Sequence, residues 1–194
     1  MQTILPSANN ASKTALTWRK YLDEQYANGI WNTNACPIVI RYAEVLLTYA
    51  EAVNELSGPS ADVYDKLDLI RGRVGMPKVD REKYASKETL RRLIRRERGV
   101  ELAGEGVRRA DILRWKDDNG KMVAETVLNG VLERVVGTVN YAETDPTKRA
   151  EIDTNAPVTD KKIEDRVFKV HNRYNPIPQG AIDNNPNLEQ NPGY

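Results

Sequence analysis

The sequence holds one cysteine, Cys36, and one histidine, His171. A lone thiol forms no intrachain disulfide and no thiolate metal cluster, and leaves the redox compartment unread. Tetrahedral zinc sites and histidine-based triads need more of these residues than the chain owns, and His171 has no nucleophile or ligand partner near it in sequence. Long apolar runs are missing too. None approaches the roughly 20 residues of a membrane helix, and the opening MQTILPSANNASKTALTWRK lacks the basic-then-apolar layout of a signal peptide. Charge of one sign is also missing: 29 Lys and Arg against 28 Asp and Glu leave a net charge of +1, which argues against a dedicated nucleic-acid binder.

What is present suits a soluble globular chain with room for one good core. From Pro37 onward apolar residues recur at helical spacing. In RYAEVLLTYAEAVNELSG, Tyr42, Val45, Leu46, Tyr49, Ala50, Val53 and Leu56 mark a helix that Gly58-Pro59 ends. Ser60 caps a second helix, in which Val63, Leu67, Ile70 and Val74 repeat before Gly75-Met76-Pro77 stops it. Helices joined by so short a link pack antiparallel. After the linker GMPKVDREKYA, Ser86 opens a third helix that runs to about Ala103. GEG interrupts it, and VRRADILRW forms a fourth, burying Val107, Ala110, Ile112 or Leu113, and Trp115. Upstream, a short helix is expected around Thr14 to Ala27, carrying Trp18, Tyr21, Leu22 and Tyr26.

The fold class is therefore mainly α, built from tetratricopeptide-like helix pairs with a degenerate repeat. Between Lys116 and Val170 the composition turns to Asp, Asn, Thr, Gly and Val, and VLERVVGTVNY and DRVFKVH read as short strands of a β-hairpin excursion. The Pro- and Asn-rich NPIPQGAIDNNPNLEQNPGY admits no helix longer than a turn or two, and wraps the body as irregular chain or is disordered. The expected organisation is a partial N-terminal segment over residues 1–36, as if cut from a larger protein, and a C-terminal domain over 37–194. Within that domain 116–170 is a variable insertion and 171–194 an irregular wrapping tail.

Two carboxylates are the sharpest candidates for chemistry. Glu97 and Glu101 continue the apolar stripe of Leu90, Leu93 and Ile94 at helical spacing, which aims them at a core. Paired carboxylates a few ångströms apart serve glycosidases, yet a catalytic pair must flank an open cleft, and neighbours on one helix face the same packing partner. Arg41, Arg71, Arg92, Arg96, Arg98, Arg108, Arg109 and Arg114 are all available to pair with them, and a buried carboxylate without a partner costs several kcal/mol. Structural ion pairing is the stronger reading. Bridged metal is weak, because the usual Glu-x-x-His companion is absent, and no metal or cofactor is expected. The runs RRLIRRER and VRRAD alternate with Glu, Leu and Ile, as ion-paired helical faces do. Trp115 and Tyr49 lie on helical stripes and read as core. Trp31, between Gly29 and Asn32 in an irregular stretch, is the better sugar-stacking candidate, with Asn32 and Tyr26 beside it.

Three separated segments resemble the C-terminal part of the RagB/SusD family, the outer-membrane lipoproteins of starch-utilisation-system D type in Bacteroidetes. They are RYAEVLLTYAEAVNE, ERGVELAGEGVRRADILRW and the closing PIPQGAIDNNPNLEQNPGY, in the family's order; Gly104 stands where a large aromatic is often found. The resemblance implies a SusD-like α-α superhelix and a non-enzymatic protein that captures oligosaccharide or polysaccharide at the cell surface. It also implies a SusC-like TonB-dependent transporter as partner, with no nucleic acid, and an outer-membrane location through a lipid anchor that this chain does not carry, since Cys36 is internal. Arg41, Glu97, Glu101, Arg108, Asp111 and Arg114 then read as scaffold, with arginines such as Arg41 and Arg108 holding the two carboxylates. Family binding residues are not transferable by motif here. The competing readings are a helical-repeat scaffold that binds only protein, and a carboxylate-pair glycoside hydrolase.

Overall fold

Where the apolar spacing is strongest, the helices form. The computed structural model describes residues 2–3, 12–16, 20–21, 36–140, 142–145 and 148–194. These fall into two compact units, one of residues 20–111 and one of residues 1–19 with 112–194.

In the first unit, α1 (Tyr42–Ser57) ends where Gly58 takes φ +79° and its N–H returns to the Asn54 carbonyl. That left-handed angle is one a side chain resists, which makes glycine the natural stop. α2 (Ala61–Arg73) begins at Ser60, whose hydroxyl accepts from the Val63 N–H. α3 (Lys87–Glu101) begins with a reciprocal cap between Ser86 and Thr89. α4 (Arg108–Arg114) follows after Gly104 and Gly106, both at positive φ, which realise the break that GEG announces. The unit's core is one cluster: Leu46, Leu47 and Ala50 of α1, Val63, Tyr64, Leu67 and Ile70 of α2, Leu90, Leu93 and Ile94 of α3, with Val79 and Leu102 from the connections. At about 25 cal/mol per Å² of apolar surface removed from water, this cluster is the main source of the unit's stability.

Six positions on the expected apolar stripes are corrected. α1 carries more apolar residues than one helical stripe buries, and α2 and α3 take Leu46, Leu47, Ala50 and Asn54. Tyr42, Val45, Tyr49 and Leu56 belong to the neighbouring stripe and stand exposed, Tyr49 at 45%. Val74 lies past the end of α2, and Ala110 points outward on α4; both are exposed. Most of the helix expected over Thr14 to Ala27 falls outside the described residues. Where residues in that span are described, they form turns, and Ala15 and Tyr21 have φ of 61° and 69°, angles no right-handed helix uses.

The second unit is built around Ile112, Trp115, Met122, Ala124 and Phe168, all buried. It contains the short α5 (Val123–Val127) and α6 (Val158–Lys161). The strands form two small antiparallel sheets in place of one hairpin. β1 (Gln2–Thr3), β3 (Gly137–Val139) and β4 (Ala150–Ile152) make one, in the order β1-β3-β4; β2 (Gly130–Glu133) and β5 (Lys162–Arg166) make the other. VLERVVGTVNY thus divides between β2 and β3, and the second strand ends at Arg166, ahead of the buried Phe168. The tail has one short helix, α7 (Gln179–Asn184), and it folds back on itself. The Gln190 amide donates to the Ile177 carbonyl at 3.0 Å and accepts from the Ile177 N–H at 2.8 Å, as a paired strand would. Tyr194 donates to the Tyr174 carbonyl at 2.9 Å and sets its ring edge-on to His171, 4.9 Å between centroids.

Candidate functional site

Three of the polar residues that the sequence singles out, Arg41, Glu97 and Glu101, lie together toward one end of α3 in the first unit. Arg41, just before α1, donates from Nη1 to Glu101 Oε1 at 2.6 Å and from Nε to Glu105 Oε2 at 2.7 Å. Its Nη2 reaches the Glu101 carbonyl at 2.5 Å. Arg73 closes on Glu101 from the end of α2, at 2.8 and 3.0 Å. Glu97, one turn earlier, accepts from Arg71 Nη1 at 2.5 Å. Lys20 bonds Glu105 and donates to the carbonyls of Glu101 and Ala103 at 3.0 Å each. Two of these groups, Arg41 and Lys20, satisfy backbone oxygens at and just past the end of α3.

A second centre lies deeper. Arg98 and Asp111, 4% and 3% exposed, meet in a two-pronged pair with both N···O distances at 3.0 Å. Arg98 also donates to Thr48 Oγ1 at 3.0 Å and lies 3.6 Å from Glu51, both on α1. At the other end of α3, Arg91 grips Glu55 with both prongs, at 2.5 and 2.6 Å.

These contacts set the titration of their members. The hydrogen bond that Arg41 donates to Glu105 raises Arg41 above the ordinary arginine value, against the opposing pull of burial. Burial alone would raise Glu105, but Arg41 and Lys20 together hold it below the usual carboxylate range. Glu55 is lowered by the hydrogen bond from Arg91, with burial opposing.

Of the residues expected in the ion-pair network, Arg41 and Glu101 are brought together directly. Glu97 is taken by Arg71, and Asp111 by Arg98. Arg108 lies against α3, its Nη1 3.3 Å from where a Cβ on Gly99 would stand, and Arg114 stacks on the Trp115 ring at 5.2 Å. Sequence reasoning counted Arg71 and Arg98 among the available arginines without assigning either a partner, and left out Arg73, Glu105 and Lys20. Arg98 is the residue whose position could have been read, since it sits four residues after Ile94 on the buried stripe. The candidate ligand residues Trp31, Asn32 and Tyr26 lie outside the described residues.

The exposed stripe of α1 is the other feature of the unit. Ile40, Val45, Tyr49 and Ala52, with Glu44 and Thr48, line a shallow hollow of about 380 Å³. Tyr42 and Tyr49 stand two helical turns apart on this side, ~10.5 Å along the axis. Tyr49 is hydrogen-bonded to Asp62, which raises its hydroxyl pKa and lowers that of Asp62. Lys66 lies over its ring. Among the described residues no helix is long and apolar enough to cross a membrane.

A known family model, that of the SusD family, matches residues 3–194 of the chain. The chain belongs to the SusD family. SusD-like protein P25 of Formosa agariphila is 40% identical over 79 residues, 40% of this chain and 15% of that protein. SusD-like protein P2 of the same organism is 38% identical over 93 residues, 45% of this chain and 18% of that one. The crystal structure of a SusD-like protein from Bacteroides fragilis superposes with a TM-score of 0.60 at 27% identity, covering 81% of this chain and 26% of its own. The chain thus spans about a quarter or less of the length of these SusD-like relatives.

Proposed function

We propose that this chain is part of a non-enzymatic glycan-binding protein of an outer-membrane polysaccharide uptake system. In this reading the protein is lipid-anchored at the cell surface, and it passes oligosaccharide to a SusC-like TonB-dependent transporter. The observation that carries the reading is the SusD family match over residues 3–194. Two features agree with it. The carboxylates that a glycosidase would use are tied into arginine pairs, Glu97 to Arg71 and Glu101 to Arg41 and Arg73, so neither stands as a free acid or nucleophile. Exposed aromatics are present on the described surface, and Tyr42 and Tyr49 offer ring faces of the kind that stack on sugars. Trp31, Asn32 and Tyr26 stay the proposed ligand contacts of the N-terminal segment.

A second reading, a helical scaffold that binds protein without sugar, draws support from the apolar part of the α1 surface: Val39, Ile40, Val45 and Leu56 are all exposed. Affinity electrophoresis separates the two. The chain is run through gels containing starch, fructan, xylan, mannan, polyuronate or host-type glycans, with a full-length SusD-like relative as control. Retardation on one gel, with no reducing ends released from that glycan, supports capture. Migration unchanged on every gel that retards the control favours the scaffold. Release of reducing ends abolished by Glu97→Gln would return the hydrolase reading.

A further inference from the structure

A second cavity, on the far side of α3 from the α1 contact with Glu55, is made by seven residues of the first unit. It measures about 250 Å³ and is lined by Arg71, Met76, Tyr84, Leu93, Arg96, Glu97 and Val100. One wall is tied in place. Arg71 donates from Nε to the Pro77 carbonyl at 2.7 Å and from Nη1 to Glu97, which ties the loop after α2 to α3. The Tyr64 hydroxyl holds the Tyr84 carbonyl at 2.8 Å, and Asp68 accepts from the Val79 N–H at 2.7 Å. A site held this way loses little freedom when something enters it.

The lining has two halves. Met76, Leu93, Val100 and the ring of Tyr84 are apolar. The other half carries two guanidinium groups and one carboxylate, so one positive charge is left over. Arg71 and Glu97 neutralise each other, and the surplus belongs to Arg96, which is exposed and makes no ion pair or hydrogen bond among the described residues. A planar guanidinium presents a fork that fits a carboxylate with two parallel hydrogen bonds. A small monoanion with one apolar face matches both halves, and the cavity is near the lower end of the size of small-ligand sites.

We propose that this cavity binds the carboxylate-bearing sugar ring of a hexuronate, with Arg96 on the carboxylate and the C–H face of the ring against Tyr84, Met76 and Val100. The sugar part rests on the glycan-capture reading above; the carboxylate part rests on the cavity alone. It makes acidic polysaccharides the preferred cargo.

The test is titration of the isotopically labelled 194-residue chain with glucuronate and galacturonate, followed by amide NMR, with glucose, methyl glucuronate ester, glucose 6-sulfate and benzoate as comparison ligands. The expected result is saturable shifts at Met76, Tyr84, Arg96 and Val100 with a uronate, and binding of glucose and the neutral ester weaker by roughly tenfold or more. Arg96→Gln, at an exposed position that leaves the fold alone, lowers uronate affinity by a similar factor, and Arg96→Lys recovers part of it. Absence of shifts, an unaffected Arg96→Gln variant, or equal binding of glucose overturns the proposal. Tighter binding of the sulfate ester overturns the carboxylate class, and equal binding of benzoate overturns the sugar. Retardation on a neutral glycan gel without uronate shifts removes this inference and leaves glycan capture standing; uronate shifts that equal those with benzoate, with no gel retarding the chain, remove both.

Discussion

Arg98 on α3 and Asp111 on α4 form a two-pronged ion pair, 3.0 Å on each arm, at a position almost closed to water. Thr48 and Glu51 of α1 border the same guanidinium. Three helices therefore depend on one buried cation. Asp111→Ala strips its bidentate partner and leaves a charge that water cannot reach, for which a loss of about 3 to 5 kcal/mol is typical. Glu51 remains nearby and places the expected loss at about 3 kcal/mol, the low end of that range. Asp111→Asn keeps one acceptor and costs less. Urea melts of the three proteins check this order, and a Asp111→Ala variant as stable as the parent would show that Arg98 is held elsewhere.

The two sides of α1 differ as sharply. Leu47 is fully buried in the core and Leu56 is 86% exposed on the same helix. Leu47→Ala removes a packed side chain and leaves a cavity, at about 2 to 5 kcal/mol. Leu56→Ala alters a solvated position, with an expected change within about 0.5 kcal/mol. Thermal melts of the two variants, made in parallel, measure the contrast directly.

That contrast also explains what could be read from the sequence. Three- and four-residue spacing located α1, α2 and α3, and capping residues and glycines set their ends to within a residue or two, because local chemistry decides both. The same spacing could not say which of two adjacent apolar stripes on α1 faces inward. Leu46 and Leu47 win over Val45 and Tyr49 only because α2 and α3 arrive on their side, which is a tertiary fact. Glu97 and Glu101 could be recognised as charges aimed inward, but their partners come from sites up to 60 positions away along the chain, such as Arg41. β2 and β5 likewise pair across a long excursion that no turn signal marks. Arg96 could be counted only as one more arginine available for ion pairing, because an arginine on a basic helix looks solvated until the loop after α2 builds a cavity beside it.

Gly137 tests the small sheet. It pairs with Ile152, and a Cβ placed on it would stand 2.2 Å from the Glu151 carbonyl oxygen and 3.1 Å from the Ile152 Cα. Both obstacles are backbone, which cannot swing aside as a side chain can. Gly137→Ala is expected to part β3 from β4 and cost about 1 to 3 kcal/mol. Amide exchange at Asn140 and Asp153, whose N–H groups donate to the Arg149 and Val136 carbonyls across the two strands, reads the loss locally: protection there should drop in the variant while the amides of α1 and α3 keep theirs.

Acid is expected to loosen the first unit, and the sign follows from the two depressed carboxylates. Glu55 and Glu105 both titrate below the usual range in the folded chain, Glu55 through Arg91 and Glu105 through Arg41 and Lys20 against burial. A group lowered on folding binds its proton more readily once unfolded, so its contribution is complete above the unfolded value, about 4.3 for glutamate. It is lost as pH falls through the folded value. Tm should therefore be flat from neutrality to about pH 5 and decline below about pH 4. Glu105→Gln cannot lose a proton in either state, so it should start less stable at pH 7 and decline less steeply in acid, the two curves converging. Parallel slopes for parent and variant between pH 5 and pH 2 would mean that the acid sensitivity resides in other carboxylates.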